Sequence, residues 1–399
     1  MGLKTEFIDI EISEEEKDLY SRQFDLGGWS QKIIKNSRVL IVGVGGVGCE
    51  VAKNLARIGV GYLDLVDLDI IERSNLSRQV LYKPGDEGRP KVKVATERLK
   101  EINPFITVKG YYTSLEHLDP AIYKAADVII AAIDTRRSRL NLNSHCIRFK
   151  KPFVEGGVGG YHGYVCSVFP FENACSIEIP RERIVRRRIP RKRIHCVFKA
   201  YSEFEKNKEL TPDPENSEHI NFILNYANNL VSTYDFFPLF TDKEVKKIIS
   251  RSPQLITVIT MISAMISHET IKILHWLNGN KSLGKPITSQ HLFNAITMQL
   301  FPIEIKRNPN CSVCGDKVNR VNVKLKKNAH CEEIIQSLIN MGFERDNHMK
   351  YPILTIMDFD GMKKINLDNT PIDNKLRNLE LITAVGFKGG EIFINLELE

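Results

Sequence analysis

The sequence predicts an α/β protein: a doubly wound parallel sheet with helices on both faces, an insertion, and a small α+β domain of β-grasp type near the C-terminal end. Three observations lead there. A β-branched run breaks at a glycine-rich turn into a helical pattern, later apolar runs each stop at an aspartate, and the last 80 residues order themselves as strand, helix and further strands.

The first strand is Arg38–Val42 (RVLIV), short and β-branched as a buried central strand requires. Gly43-Val44-Gly45-Gly46-Val47-Gly48 comes next, and residues 49–58 carry apolar side chains at helical spacing, so the segment reads strand, turn, helix. A second apolar run, residues 62–68, holds Asp64 and Asp67 and leads to Asp69. Residues 91–102 are helical and stop at Asn103-Pro104, and residues 128–133 form a continuous apolar strand that ends at Asp134. Strands and helices alternating at this length imply a parallel sheet whose ligands bind beyond the carboxyl ends of the strands, where these aspartates stand.

Past residue 170 a basic, strand-poor stretch runs to Arg193, succeeded by a helical pattern over 196–208 and the polar residues 211–217, which together read as an insertion. Pro253 opens an apolar helix over 254–277, residues 291–305 read as strands completing the sheet, and residues 308–315 (NPNCSVCG) form a compact turn. The final domain comprises an alternating run over 321–327, an amphipathic helix over 331–341, and strands near 353–357, 363–367 and 391–398. The domains expected are 1–170 and 253–319 as two parts of one unit, 171–252 as the insertion, and 320–399 at the end.

Composition narrows the class. At 399 residues, 42% apolar and 26% charged, the chain can bury real cores and is too balanced for extended disorder. The most apolar stretch, residues 255–266, falls short of the roughly 18 residues a bilayer span needs. Residues 1–14 lack a basic start ahead of an apolar run, so a soluble, cytoplasmic protein with no membrane partner is expected. Eight cysteines are too sparse for a disulfide framework, which leaves thiol or metal chemistry. The net charge of +7 lies entirely in residues 181–193 (RERIVRRRIPRKR), with eight Lys/Arg and one Glu. That run has no interleaved aromatics, which argues against nucleic acid as its partner.

Alone, G-x-G-x-x-G says only that backbone approaches a phosphate at a helix N-terminus. Asp67, 19 residues after Gly48, adds a carboxylate able to hold ribose hydroxyls, as in nicotinamide dehydrogenases. The segment after the second strand discriminates: Asn75 and Arg78 in Ser74-Asn75-Leu76-Ser77-Arg78-Gln79, then Lys91, form a set suited to a triphosphate. Asp134 is placed to hold Mg²⁺. Cys49 reads as a small core residue, and Arg136, Arg137 and Arg139 as partly solvated helix charges.

Together, Arg22 in YSRQ, GVGGVGCE, DLDIIERSNLSRQ, GRPK, DTRRSR and EGGVGGYHG resemble the ubiquitin-activating enzyme superfamily, which includes the adenylyltransferases for thiamine and molybdopterin sulfur carriers. The resemblance covers roughly residues 15–170 and 250–315. It implies a Rossmann-like adenylation domain, a cysteine-bearing insertion and a C-terminal ubiquitin-like (β-grasp) domain. Gly43, Gly45 and Gly46 would then approach ATP, Asp67 would hold its ribose, Asn75, Arg78 and Lys91 its phosphates, and Asp134 Mg²⁺. Arg22 would reach into the active site of a partner subunit, and with the full set on one chain a homodimer is expected. The substrate implied is a ubiquitin-like protein with a C-terminal glycine, whose carboxylate attacks the α-phosphate of ATP.

Cys311-x-x-Cys314 has the turn geometry of a zinc site. The resemblance puts the other ligand pair at Cys175 and a position three residues on, which here is Glu178, so Cys₃ with Glu178 or another ligand, or no zinc, remain open. For the thioester-forming cysteine of the ubiquitin and SUMO types, the matching position holds Ile184. Cys196, after His195 and the basic run and near a helix N-terminus, is the expected nucleophile with a lowered pKa, and Cys175 the second choice. The function expected is adenylation of a ubiquitin-like protein, thioester formation, and transfer to a ubiquitin-conjugating enzyme recruited by the C-terminal domain. The alternative is adenylation of a sulfur carrier without a thioester.

Overall fold

Eight strands share one sheet: β1 (Arg38–Val42), β2 (Tyr62–Asp67), β3 (Thr107–Tyr112), β4 (Val128–Ala131), β5 (Phe153–Gly159), β6 (His162–Val168), β7 (Gln290–Asn294) and β8 (Gln299–Ile303). They run in the order β3-β2-β1-β4-β5-β6-β7-β8 in the computed structural model, which describes residues 11–179, 189–208, 212–214, 216–249, 254–349, 351–358, 361–367 and 370–399. Strands β3 to β5 are mutually parallel, and β6, β7 and β8 add antiparallel pairs. The chain leaves β1 toward β2 and β3, then returns to the other side of β1 for β4 and β5. That reversal opens a crevice at the carboxyl ends of β1 and β4.

Alternation along β1 explains the two layers. Val39 and Ile41 join one core, with Val51 and Leu55 of α4 (Gly46–Ile58) and Val92 and Ala95 of α5 (Lys91–Ile102), while Leu40 and Val42 join the other. Among the described residues, three short helices precede β1, α1 (Glu14–Leu19), α2 (Ser21–Phe24) and α3 (Gln31–Lys35); the Ser13 hydroxyl and the Glu16 carboxylate cap α1 reciprocally. The second layer is built from α6 (Pro120–Ala125) and α7 (Arg136–Phe149), through Tyr123, Leu142 and Ile147.

Among the described residues the insertion forms three helices, α8 (Arg193–Lys208), α9 (Ser217–Thr233) and α10 (Asp242–Ile249), around their own core of Cys196, Ala200, Phe204, Ile223, Ala227 and Val245. Five of the eight cations of the basic run, and Ile184, fall in residues 180–188, outside the described residues. The next helix, α11, spans Ile256–Leu277 rather than starting at 254, because Gln254 bridges to Gly160 and Leu255 is extended. Its 22 residues are long and apolar enough to cross a membrane, contrary to the expectation drawn from its most apolar stretch alone. It packs against α4, β5 and β6 and buries Ile259, Ile262, Ile266, Ile273 and Leu274.

A second sheet is formed by β9 (Asn319–Leu325), β10 (Ile353–Asp358), β11 (Gly361–Lys364), β12 (Leu381–Val385) and β13 (Ile392–Leu398), with the helix α12 (Glu332–Asn340) after β9; its order is β11-β10-β12-β13-β9. The first and last strands pair in parallel and the other neighbours are antiparallel. Strand β12 carries no clear signature in the sequence, and the strand expected at 363–367 lies at Gly361–Lys364. Arg377 ties this sheet to the segment between β3 and α6, donating to the carbonyls of Glu116 (2.8 Å) and Leu118 (3.0 Å) while pairing with Glu380.

Candidate functional site

The turn between β1 and α4 lies at the mouth of the crevice. Gly43 has φ of 93°, and a Cβ there would lie 2.5 Å from the Ala132 carbonyl oxygen, so only glycine fits. At Gly45 a Cβ would meet nothing within 4 Å, which leaves open space beside the backbone at the N-terminus of α4. The Val44 carbonyl accepts from the Tyr82 hydroxyl (2.9 Å), fixing the turn from behind. Cys49 donates to the same carbonyl and is fully buried, its thiol pushed up to about 12 by burial, which suits the core role expected of it.

Asp67, at the end of β2, accepts from the backbone N–H of Val44 (2.6 Å) and of Asp69 (2.8 Å), joining the glycine turn to the next strand end. Burial raises its carboxyl above the ordinary range, opposed by the positive charge of Lys91 and by the two N–H donors. Lys91, buried at the first turn of α5, pairs with Asp69 at 2.7 Å. Asn75 is buried in a 3₁₀ turn (Arg73–Ser77), where its Oδ1 accepts from the Glu72 N–H. Arg78 donates to Gln254 (2.7 Å) and to the Ser74 carbonyl (2.8 Å). Sequence reasoning missed Gln254, whose only local signal was its place at the helix start. Asp134 is exposed between β4 and α7, where Thr135 caps the helix. Arg22 is exposed on α2 and, among the described residues, forms no hydrogen bond or ion pair with these loops.

Arg139 departs from expectation. It is 7% exposed and reaches the carbonyls of Gly156 (2.9 Å) and Ala131 (3.4 Å), so it braces the middle of β5 and the end of β4 rather than facing solvent.

A second group of side chains gathers on the other layer. One donor atom from each of Cys175, Glu178, Cys311 and Cys314 lies within 4.8 Å of all the others. The Cys175 and Cys311 sulfurs are 3.8 Å apart, close to the edge of about 3.8 Å for a tetrahedron with metal–sulfur bonds of about 2.3 Å. Glu178 accepts from the Cys175 N–H (2.8 Å) and lies 3.2 Å from the Cys314 sulfur, so its carboxylate is oriented toward the thiols. The contact between Cys175 and Cys314 lowers the Cys314 thiol to about 7 and, with burial, raises Cys175. Three thiols and one carboxylate in this arrangement fit a four-coordinate metal ion.

Cys196 does not stand as the sequence suggested. It is fully buried in the α8–α9–α10 core, and burial raises its thiol pKa instead of lowering it. At the start of α8, Arg193 is held by Glu244 of α10 (3.0 Å), by the Leu239 carbonyl, and by the Phe240 ring 3.9 Å away. The first turn of α8 is thereby clasped to α10 and to the segment before it.

A protein-family model described as the ThiF family matches residues 20–313. The chain is 29% identical over 310 residues to the molybdopterin-synthase adenylyltransferase of Escherichia coli (strain K12), covering 76% of this chain and 99% of that protein. It is 32% identical over 251 residues to ubiquitin-activating enzyme E1 1 of Arabidopsis thaliana, covering 59% of this chain and 23% of that one. To the Arabidopsis NEDD8-activating enzyme E1 catalytic subunit it is 27% identical over 309 residues, covering 70% and 65%. Among solved structures, E. coli MccB with SeMet MccA matches with a TM-score of 0.53 at 22% identity, covering 76% of this chain and 75% of that one. This last likeness is one of fold.

Proposed function

This chain belongs to the ThiF family of adenylyltransferases, and from that premise we propose that it adenylates the C-terminal carboxylate of a ubiquitin-like protein. One observation carries the reading: Asp67 binds the Gly43–Gly46 turn through the Val44 N–H, and Lys91 pairs with Asp69 beside it, at the carboxyl ends of β1 and β2, next to the crevice the strand order creates. In the proposed reaction a carboxylate oxygen of the substrate bonds to the α-phosphorus of ATP, the bond to the β-phosphate bridge breaks, and pyrophosphate leaves.

The chain's own groups suit that chemistry. Gly45 lets backbone approach the phosphates, Asp67 accepts from the ribose hydroxyls, and Lys91 exchanges its exposed partner Asp69 for phosphate oxygens. Arg78 and Asn75 add donors to the departing pyrophosphate, where charge accumulates. Asp134, an exposed carboxylate at the end of β4, suits Mg²⁺, which would neutralise phosphate charge. Arg22, exposed on α2, is assigned to the site of a second subunit in a homodimer. Zinc is the metal proposed for Cys175, Glu178, Cys311 and Cys314, because soft thiolates in a tetrahedral set select it.

The step after adenylation divides two readings. Thioester formation on Cys196, with transfer to a conjugating enzyme through the second sheet, is supported by the helical insertion and by the parallel pairing of the first and last strands expected of a β-grasp domain. Sulfur-carrier adenylation without a thioester is favoured by the burial and raised pKa of Cys196. Incubation with ATP and a ubiquitin-like protein separates them: a conjugate cleaved by thiol reductant and absent in Cys196→Ser supports the first. Pyrophosphate exchange without any conjugate supports the second.

A further inference from the structure

A buried polar chain joins the thiol cluster to the nucleotide crevice. Asn143 on α7 places its Nδ2 3.6 Å from the Cys175 sulfur and accepts the Ser176 N–H on its Oδ1 at 3.0 Å. The Ser176 hydroxyl donates to Glu155 Oε2 at 2.6 Å, and that oxygen is 3.9 Å from Arg139 Nη1. Asn143 and Glu155 are 0% exposed, Ser176 is 1% and Arg139 7%. Arg139 in turn holds the last carbonyls of β4 and the middle of β5, and stands five residues after Asp134 on the first turns of α7.

Such a chain is costly to leave half-made. A carboxylate and a guanidinium inside the sheet persist only while their remaining hydrogen bonds are kept, so the network favours one arrangement and resists intermediate ones. Ser176, the donor to Glu155 Oε2, sits next to Cys175 in sequence. Whatever fixes Cys175 therefore fixes the Ser176 donor, the Glu155 carboxylate, Arg139 and the segment that presents Asp134.

We propose that Ser176 and Glu155 are positioning residues through which metal held by Cys175, Glu178, Cys311 and Cys314 tightens nucleotide binding at the β1–β4 crevice. This rests on the nucleotide reading of that crevice. By linkage the effect is reciprocal: nucleotide must hold the metal more tightly by the same factor.

The test uses the full chain loaded with Zn²⁺ and then stripped by a chelator, with calorimetric binding of a non-hydrolysable ATP analogue, metal analysis, and circular dichroism as the check on folding. Zinc-loaded wild type is expected to bind the analogue roughly fivefold or more tightly than the stripped protein. Saturating analogue should slow zinc release to a chromogenic chelator. Ser176→Ala removes the donor to Glu155 and leaves every metal ligand in place. It should keep its zinc yet bind the analogue weakly whether loaded or stripped, while Ser176→Thr, which retains the hydroxyl, restores the difference. Equal affinity of folded loaded and stripped wild type overturns the coupling, as does a Ser176→Ala protein that keeps the full zinc dependence. If Ser176→Ala does not fold, the wild-type pair and Ser176→Thr still decide. Loss of all analogue binding by the loaded wild type would instead defeat the nucleotide reading, and the coupling with it.

Discussion

At Asp67 one carboxylate joins two loops, since its Oδ2 accepts from Val44 and its Oδ1 from Asp69 while the residue stays partly exposed. Replacing it with alanine removes two charge-assisted hydrogen bonds, each of about 1.5–3 kcal/mol, and the ribose acceptor together. Asp67→Ala is therefore expected to lower affinity for a fluorescent ATP analogue at least ~10-fold in equilibrium titration; unchanged affinity would contradict its role. Neighbouring glycines should behave differently from one another. Gly43→Ala forces a Cβ to 2.5 Å from the Ala132 oxygen at positive φ and should lower the unfolding midpoint in urea, whereas Gly45→Ala, with open space around it, should fold normally and lose analogue binding. The placements of Asp67 at a strand end and of the Cys175/Glu178 and Cys311/Cys314 pairs in short turns are legible in the sequence, because motif and spacing reveal which residues lie close together. Arg139 is not, because its surroundings are supplied by β4 and β5, distant in sequence, and a lone arginine on a helix looks the same buried or solvated. The surroundings of Cys196 are hidden for the same reason: the run before it in sequence is cationic, but in the fold it belongs to a buried apolar cluster with Phe204, Ile223 and Ala227.

Among the elements, β1, β2, β4, α4 and α5 are readable because a central parallel strand is a continuous apolar run and the helices carry period-3.6 stripes. The edge strand β3 (TVKGYY) and the short β12 (LITAV) lack such a signature, since an edge strand needs only one partner and a five-residue run fits a loop equally well. Helices α8 and α10 are clasped by Arg193 and Glu244. That arginine holds the Glu244 carboxyl at about 2, below the usual 4.5. A lowered carboxyl stabilises above its ordinary value and loses that contribution as pH falls toward the folded-state value, so thermal melting of the insertion should weaken between about pH 5 and pH 2, and less in Glu244→Gln. The same variant should alkylate faster at Cys196 with iodoacetamide at neutral pH, since opening the clasp exposes the thiol. An equal rate in both proteins would show that the clasp does not cover it.

Across the whole molecule, the second sheet is tied to the segment between β3 and α6. Arg377 crosses from the second sheet to the carbonyls of Glu116 and Leu118, and Arg148 lies close by, its three guanidinium nitrogens buried without a hydrogen-bond partner among the described residues. The Phe149 ring lies 4.5 Å from its guanidinium carbon, and burial lowers its pKa to about 10 despite Glu380 and Glu397. Arg148→Met is expected to stabilise the protein by about 1–3 kcal/mol in urea denaturation, because a buried charge without hydrogen bonds costs more than a methionine of similar length. A large loss of stability would mean that Arg148 has partners the fold hides. Adenylation is the reaction on which the site's assignment turns, and ATP–pyrophosphate exchange measures it directly. With a ubiquitin-like protein ending in glycine, wild type should exchange label into ATP in proportion to that partner, and Asp134→Ala should exchange at least ~100-fold more slowly. No exchange with any such partner, or undiminished exchange by Asp134→Ala, would contradict the adenylation mechanism drawn from this site.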